Sequence, residues 1–318
     1  MTLKSDLALI TCAYGSIFPI LVRGYLVSTF YLEHSEALEC GSFLYLGMGR
    51  LQTDTRTTLL PRASQHHCSD CLQANAAMPL LPHFQEYNVR GKQTVLFIHS
   101  PLSTGDQWAG VLFYLQIYKK HLHILIPSFD AVDLSSSSRA VSLLSNLIRE
   151  RARRGVAHVI GLGTGAHIAT LLAQDNGMLV STLLVSGYRQ WTLLQRLLLP
   201  YGLFTAHKLH TCGTWHPSFS LQDCRAMAML LMEAQDGRVS APTTIIASSR
   251  LFNLWSACRS ALSLRRRLGS SDNVSIKAGH GLGRDWNKRY PSVFASVVCS
   301  CIIQSWNEEL DDVFRHIR

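Results

Sequence analysis

Short apolar runs alternate with segments of helical period along most of the chain after residue 80. The apolar runs are rich in Val, Ile, Leu and Phe, which is typical of buried strands. They predict strands at 84–89, 94–99, 124–127, 156–161, 179–186, 243–247 and 274–278, and the helical pattern predicts helices at 139–154, 166–174 and 292–307. Because strands alternate with helices, we expect a doubly wound, mainly parallel α/β sheet with right-handed crossovers.

One connection, between the strands at 179–186 and 243–247, is too long for a simple crossover. In this topology such an insertion lies over the carboxyl ends of the strands, so we expect a helical cap over about 187–240. The insertion carries Trp191 and the methionine-rich run 227–232. A cap of this composition would line an apolar, adaptable pocket. The alternative is that these side chains only pack the cap onto the sheet.

The first 80 residues differ in pattern from the rest and are interpreted as an extension outside the domain at 81–318. Residues 7–32 are apolar apart from a single charge, Arg23. The part before this charge, 7–22, is shorter than the ~20 residues of a membrane span and is interrupted by Gly15 and Pro19. Two interpretations stay open, a membrane-associated segment or a buried extension. We expect a cytoplasmic protein, with membrane anchoring through this segment as the alternative.

Composition and charge indicate a globular protein of ordinary core size. Of its 318 residues, 47% are hydrophobic and only 16% are charged, which argues against disorder over most of the length. The net charge of +9 raises the question of a polyanionic partner. The arginines, however, cluster at 149–154, which ends the helix predicted at 139–154, and at 265–267, which is interpreted as the end of a further helix before Gly269, so each run complements a helix dipole. We therefore expect no nucleic-acid partner.

The nine cysteines do not show the spacing of a disulfide framework. One cluster, His66, His67, Cys68 and Cys71, contains potential zinc ligands, but four ligands within six residues are cramped and no second pair follows at the usual spacing. We expect neither a metal nor a cofactor.

The segment with the strongest chemical signal is His158-Val159-Ile160-Gly161-Leu162-Gly163-Thr164-Gly165-Ala166-His167. It joins a predicted strand to a predicted helix, which is the context of the nucleophile elbow G-x-S-x-G. The middle residue is Gly163, so the turn is kept while the nucleophilic oxygen is missing.

This segment resembles the α/β-hydrolase family, in particular fungal members that read H-V-V-G-L-S-L-G-A-H here. The resemblance covers about residues 84–307. Besides the segment 158–167, its most specific parts are Phe97-Ile98-His99 and Trp286-Asn287. It implies the α/β-hydrolase fold and a site of serine, histidine, acid and oxyanion-hole N–H groups.

The resemblance assigns most of these roles to residues that cannot fill them. The serine position is Gly163, the acid position is Ser249, and counting back from the Trp-Asn pair puts Arg284 at the histidine position. His280, in a Gly-His pair, is the remaining acid–base candidate. The oxyanion and pocket region is expected to comprise Ser100, Pro101, Leu102, Thr164, Trp191 and Trp286.

Two functions remain open at this point. One is a non-hydrolytic enzyme, of the cyclase or isomerase type found in specialised metabolism, that acts on an apolar small molecule under the cap. The other is a non-catalytic pseudohydrolase that binds a ligand or another protein.

Overall fold

The computed structural model describes residues 81–100, 103–118, 121–129, 133, 136–190, 200, 220–232, 237–249, 254–269, 273–283 and 285–317. The strands are β1 (His83–Tyr87), β2 (Gln93–Ile98), β3 (Leu122–Ser128), β4 (Ala157–Leu162), β5 (Val180–Ser186), β6 (Thr243–Ser249), β7 (Val274–His280) and β8 (Phe314–Ile317). The helices are α1 (Ala109–Tyr118), α2 (Ser137–Arg151), α3 (Thr164–Asp175), α4 (Leu221–Met232), α5 (Leu254–Arg267), α6 (Trp286–Arg289) and α7 (Pro291–Ile303).

The eight strands that the described residues form make a single sheet in the order β1-β3-β2-β4-β5-β6-β7-β8. The six inner strands run parallel, and β1 and β8 pair antiparallel at the two edges. The chain moves outward from β2 to β3 and then crosses back to β4 on the other side of β2. This change of direction creates a topological switch point between β2 and β4, where α/β proteins commonly bind their ligands.

Helices cover both faces of the sheet, so β2, β3 and β4 are buried almost throughout, whereas β7 alternates buried and partly exposed residues at its start. One core lies between the sheet and α2, α3, α4 and α5. The other lies between the sheet and α1, α6 and α7. Local signals agree with these boundaries: the Ser136 hydroxyl accepts the Arg139 N–H and caps α2, and Pro291 occupies the first turn of α7.

The expected doubly wound, mainly parallel α/β fold is confirmed, with local differences. Helix α1 and the antiparallel edge strand β8 were not predicted, and α7 ends at Ile303 because Gln304 adopts a left-handed conformation with φ 53°. The run 227–232 belongs to α4, where Met227 and Leu231 are buried in the core on the α3 side. These two side chains pack α4 onto the domain, whereas Met229 is exposed, and the cap over the strand ends stays a prediction.

Several sequence predictions fall on residues outside the described ranges. They include the extension 1–80 with its apolar segment 7–32, the histidine–cysteine cluster at 66–71, and most of the predicted cap. Within the described residues, no helix has the length and apolarity needed to cross a bilayer, and no three potential metal ligands of the His, Cys, Asp or Glu type come together.

A buried histidine in α3 makes the fold sensitive to acid. His167 stacks on Tyr188, with ring centroids 4.3 Å apart, and burial together with the Arg267 guanidinium lowers its pKa from 6.5 to about 3. The unfolded chain therefore binds a proton at this site below pH 6.5 while the folded chain does not.

We expect the free energy of unfolding to fall as the pH drops from about 6.5 towards about 3, by up to about 1.4 kcal/mol per pH unit for this one site. Urea denaturation of wild type and His167→Phe between pH 7.5 and 4.5 measures the effect, because the variant should lose less stability than wild type as the pH falls. Parallel pH profiles for the two proteins would contradict the assignment.

Candidate functional site

The candidate site is the crevice at the carboxyl ends of β2 and β4. These strands are paired, with Ile98 opposite Gly161, but the segments that follow them lead to opposite faces of the sheet. The segment after β2 enters a short 3-10 helix and α1, on one face, whereas the turn after β4 enters α3, on the other. The two connections diverge, which leaves an opening above the strand ends.

Gly163 forms the turn from β4 into α3. Its backbone has φ 60° and ψ −119°, a conformation that is strained for a residue with a side chain but accessible to glycine. The Gly163 N–H donates to the Ser186 carbonyl oxygen at 2.9 Å, and the Gly163 carbonyl accepts from the Ala166 N–H at 3.1 Å. A Cβ built at Gly163 has no atom within 4 Å, so open space occupies the place of a side chain.

The glycines on either side of Gly163 are required by close packing. A Cβ at Gly161 would lie 2.7 Å from the Ala169 Cβ, and a Cβ at Gly165 would lie 2.8 Å from the His99 carbonyl oxygen. Both distances are shorter than any normal carbon contact. The glycines therefore let α3 approach β2 and β4, and this approach fixes the amino end of α3 beside the crevice.

Two hydroxyl side chains join across the switch point. The Ser100 hydroxyl, after β2, donates to the Thr164 Oγ1, in the first turn of α3, at 3.3 Å. The Ser100 carbonyl is held within its own loop, where it accepts from the Ser103 N–H and Oγ, both at 2.8 Å, and from the His99 Nδ1 at 2.8 Å. Burial lowers the pKa of His99, so the ring is neutral at pH 7 and its Nδ1 carries the donated proton.

His280 lies at a different part of the crevice. It is the last residue of β7, it is exposed, and it pairs in register with Ser249 at the end of β6. Three strand spacings separate β7 from β4, or about 14 Å at the usual spacing. The structure thus brings His280 to the acid position on β6 but not into contact with the Gly163 turn.

The tryptophan–asparagine pair is structural in this fold. Trp286, expected at the pocket, is instead fully buried in the core with Phe294 and Phe314. Its indole N–H donates to the Ser186 hydroxyl at 2.9 Å, which satisfies the only polar group of a large apolar ring. The Asn287 amide donates to the Gln107 carbonyl at 3.0 Å and ties α6 to the segment after β2.

Replacing Trp286 with Phe should destabilise the protein by about 1–3 kcal/mol, because a buried hydroxyl loses its partner and ring volume is lost. The matched control is Trp306→Phe, which removes an indole bond of 3.0 Å to the exposed Asp311 carboxylate and should cost less. Chemical denaturation of the two variants gives both values. Equal losses would argue against the buried Trp286–Ser186 bond as a support of the β5 end.

Other predicted residues lie outside the described ranges: Pro101, Leu102, Trp191 and Arg284, as well as the side chain of Ser249. The structure therefore brings together Ser100, Gly163 and Thr164 from the predicted set and places His280 and the Ser249 backbone farther along the crevice. It leaves the remaining predictions open.

Two features of the crevice were missed from the sequence. Gly187 has φ 70°, and a Cβ built on it would lie 3.3 Å from the Gly163 nitrogen, so the turn after β5 supports the turn after β4. The Ser248 hydroxyl, at the end of β6, is buried without a hydrogen-bond partner among the described residues. The Ser-Gly pair that ends β5 was a usable signal for the first feature. No sequence signal indicated the second.

Comparisons with known proteins agree with this geometry. No family model matches the chain. A protein of Gibberella zeae, described as an AB hydrolase superfamily protein, is 31% identical over 253 residues, which cover 71% of this chain and 85% of the relative.

Solved structures with a similar fold have low sequence identity. An alpha/beta hydrolase enzyme from the sediment metagenome of the Mar Chica lagoon, Morocco, has a TM-score of 0.51 at 16% identity and covers 70% of this chain and 94% of its own. MenH from S. aureus has a TM-score of 0.51 at 14% identity, with 71% and 99% covered. A Vigna radiata epoxide hydrolase mutant has a TM-score of 0.51 at 13% identity, with 70% and 95% covered. These likenesses concern the fold, and the relative from Gibberella zeae, over most of its length, assigns this chain to the AB hydrolase superfamily.

Proposed function

We propose that this chain is a non-hydrolytic member of the superfamily, which binds an apolar small molecule in the crevice and promotes its cyclisation or isomerisation by positioning it. The proposal rests on one observation, the glycine at the turn between β4 and α3. A serine at position 163 would place its oxygen in the open space above the strand ends. Gly163 has no side-chain oxygen, so no acyl-enzyme can form there.

The neighbouring positions favour the same conclusion. The turn after β5 reads Gly187-Tyr188-Arg189, and β6 ends at Ser248-Ser249 before Arg250, so neither connection begins with the carboxylate that would orient a catalytic histidine. A cationic ligand would find no carboxylate at the start of these two connections, and a buried ionised group requires a partner, so we expect a mostly apolar ligand without a positive charge.

Without a nucleophile, the site can still promote a reaction by holding its ligand in a reactive geometry. Holding two parts of one molecule in reactive geometry can lower a barrier by several kcal/mol without a nucleophile. The hydroxyls of Ser100 and Thr164, at one side of the crevice, can orient a ligand oxygen. His280, at the other side, can take a proton from one ligand atom and return it to another. A ligand that contacts both sides would span the separation of β4 and β7, about 14 Å at the usual strand spacing.

The test is a search for small molecules that depend on this protein. Untargeted mass spectrometry would compare extracts with and without the gene, and would identify compounds that co-purify with the protein. A product that disappears on deletion, together with its precursor as an accumulating isomer of equal mass, supports the proposal. An unchanged compound bound in stoichiometric amount would instead show a binding protein, the non-catalytic alternative. Products whose combined mass equals that of the precursor plus one water would refute the non-hydrolytic assignment.

A further inference from the structure

Helix α5 carries a row of basic and aromatic residues on its outer face. Trp255, Arg259 and Arg266 are all exposed, and Trp255 has 70% of its surface accessible. At 100° per residue, positions four and eleven residues after Trp255 lie within about 40° of it around the helix axis. We call these three residues the α5 stripe. It runs about 16 Å along the helix, while the opposite side, with Ala261 and Leu264, is buried in the core.

The α5 stripe has a preorganised chemical character. The Arg259 guanidinium lies 3.9 Å from the centroid of the Trp255 ring, a cation–π contact that holds both groups in place. Neither Arg259 nor Arg266 has an ion-pair partner among the described residues, and α5 itself contains four arginines and no acidic residue. Of the arginine run at the end of α5, Arg266 continues this basic face, whereas Arg267 lies near the buried His167.

We propose that the α5 stripe is a docking surface for an anionic lipid membrane. Tryptophan prefers the headgroup region of a bilayer, where its ring is partly buried and its N–H stays hydrated. Arginines on the polar side of an amphipathic helix attract anionic lipids, and Arg259 and Arg266 present two such charges beside Trp255.

A nucleic acid fits the same charge less well. Binding to single strands uses aromatic rings on which bases stack, and one face of the Trp255 ring is already covered by Arg259. The stripe also offers a single aromatic residue rather than the series that successive bases would need. The lipid surface is thus the occupant that both the charge and the ring geometry favour.

Vesicle sedimentation with the full chain tests this docking surface. Vesicles of phosphatidylcholine alone are compared with vesicles in which about a third of the lipid is phosphatidylserine. We expect wild type to bind the anionic vesicles more strongly, and Arg259→Gln/Arg266→Gln to lower that binding roughly 25-fold at low salt, since each basic residue contributes about a factor of five. Trp255→Ala should weaken binding as well. Brominated lipid in the vesicles should quench part of the tryptophan fluorescence of wild type, and this quenching should be smaller in Trp255→Ala.

The matched control is Arg90→Gln/Lys92→Gln, which removes two exposed positive charges from the turn between β1 and β2. It should bind the anionic vesicles like wild type. The apolar segment 7–32 is present in every variant, so its contribution cancels in each comparison. The proposal is overturned if wild type does not prefer anionic vesicles, or if both double variants bind equally. It is also overturned if the α5 substitutions abolish binding to single-stranded RNA but leave vesicle binding unchanged.

Discussion

Purified wild-type protein should hydrolyse p-nitrophenyl esters no faster than a blank purification, and a fluorophosphonate should not label it at position 163. Both reactions need an activated serine, and removing the nucleophile of a Ser-His-Asp enzyme costs on the order of a million-fold in rate. Gly163 stands at the turn where such a serine would be held, and no side-chain atom replaces it. Ester turnover clearly above the blank would end the non-hydrolytic interpretation.

Restoring the oxygen alone should restore little. The open space at Gly163 accommodates a serine side chain, so Gly163→Ser should fold. It should react with a fluorophosphonate slowly or not at all, because no base is assured beside it. Adding Arg284→His and Ser249→Asp should raise the labelling rate markedly, since both partners of the new serine are then supplied.

The informative control for this series is Gly163→Ser combined with His280→Ala. His280 lies about 14 Å across the sheet from the turn at the usual strand spacing, so its removal should not matter. Rapid labelling of Gly163→Ser that disappears with His280→Ala would show that His280 reaches the serine. It would also identify this protein as an esterase that lost only its nucleophile.

Gly165→Ala should be among the most destabilising single substitutions in the domain, at a cost of more than about 3 kcal/mol. The new Cβ would overlap the Ile98 carbonyl oxygen and would lie 2.7 Å from the Ile98 carbonyl carbon and 2.8 Å from the His99 carbonyl oxygen. These are backbone atoms at the end of a central strand, and they cannot move without opening the sheet. Pulse proteolysis in urea reports the loss even when the yield is low.

The control for this substitution lies two residues earlier. Gly163→Ala meets no atom within 4 Å and should cost about 1–3 kcal/mol, the penalty for a Cβ at φ 60° and ψ −119°. Similar losses for the two variants would mean that the contact between α3 and β2 is not as close as described.

The fold was largely predictable because most of its inner strands are buried on both faces and appear as short apolar runs. Helix α1 was missed for a related reason: Ala109–Tyr118 contains no charged residue, so no polar face revealed its period. The edge strand β8 was missed because its four residues pair only with β7, and an isolated short strand gives a weak sequence signal. For the methionine-rich run in α4 the sequence left two interpretations open, pocket lining and packing onto the sheet, because composition alone does not distinguish them.

The site was only partly predictable. The glycine pattern located the turn at Gly163, because close backbone contacts restrict those positions to one residue type. The role of Trp286 depends on a partner, Ser186, that is 100 residues away in the sequence, and no local pattern carries that information. The position of His280 depends on where β7 ends, which a count from a neighbouring motif could not determine.

The glycine at position 163 also changes what the domain can tolerate. Its φ of 60° and ψ of −119° cost glycine little, whereas a residue with a Cβ would destabilise the same turn by about 1–3 kcal/mol. For a domain of this size, each kcal/mol of that difference corresponds to about 2–4 °C in melting temperature. This additional stability can offset a destabilising substitution elsewhere in the domain. A protein that keeps this glycine therefore tolerates more changes in the loops around its crevice, and with them in the ligand it accepts.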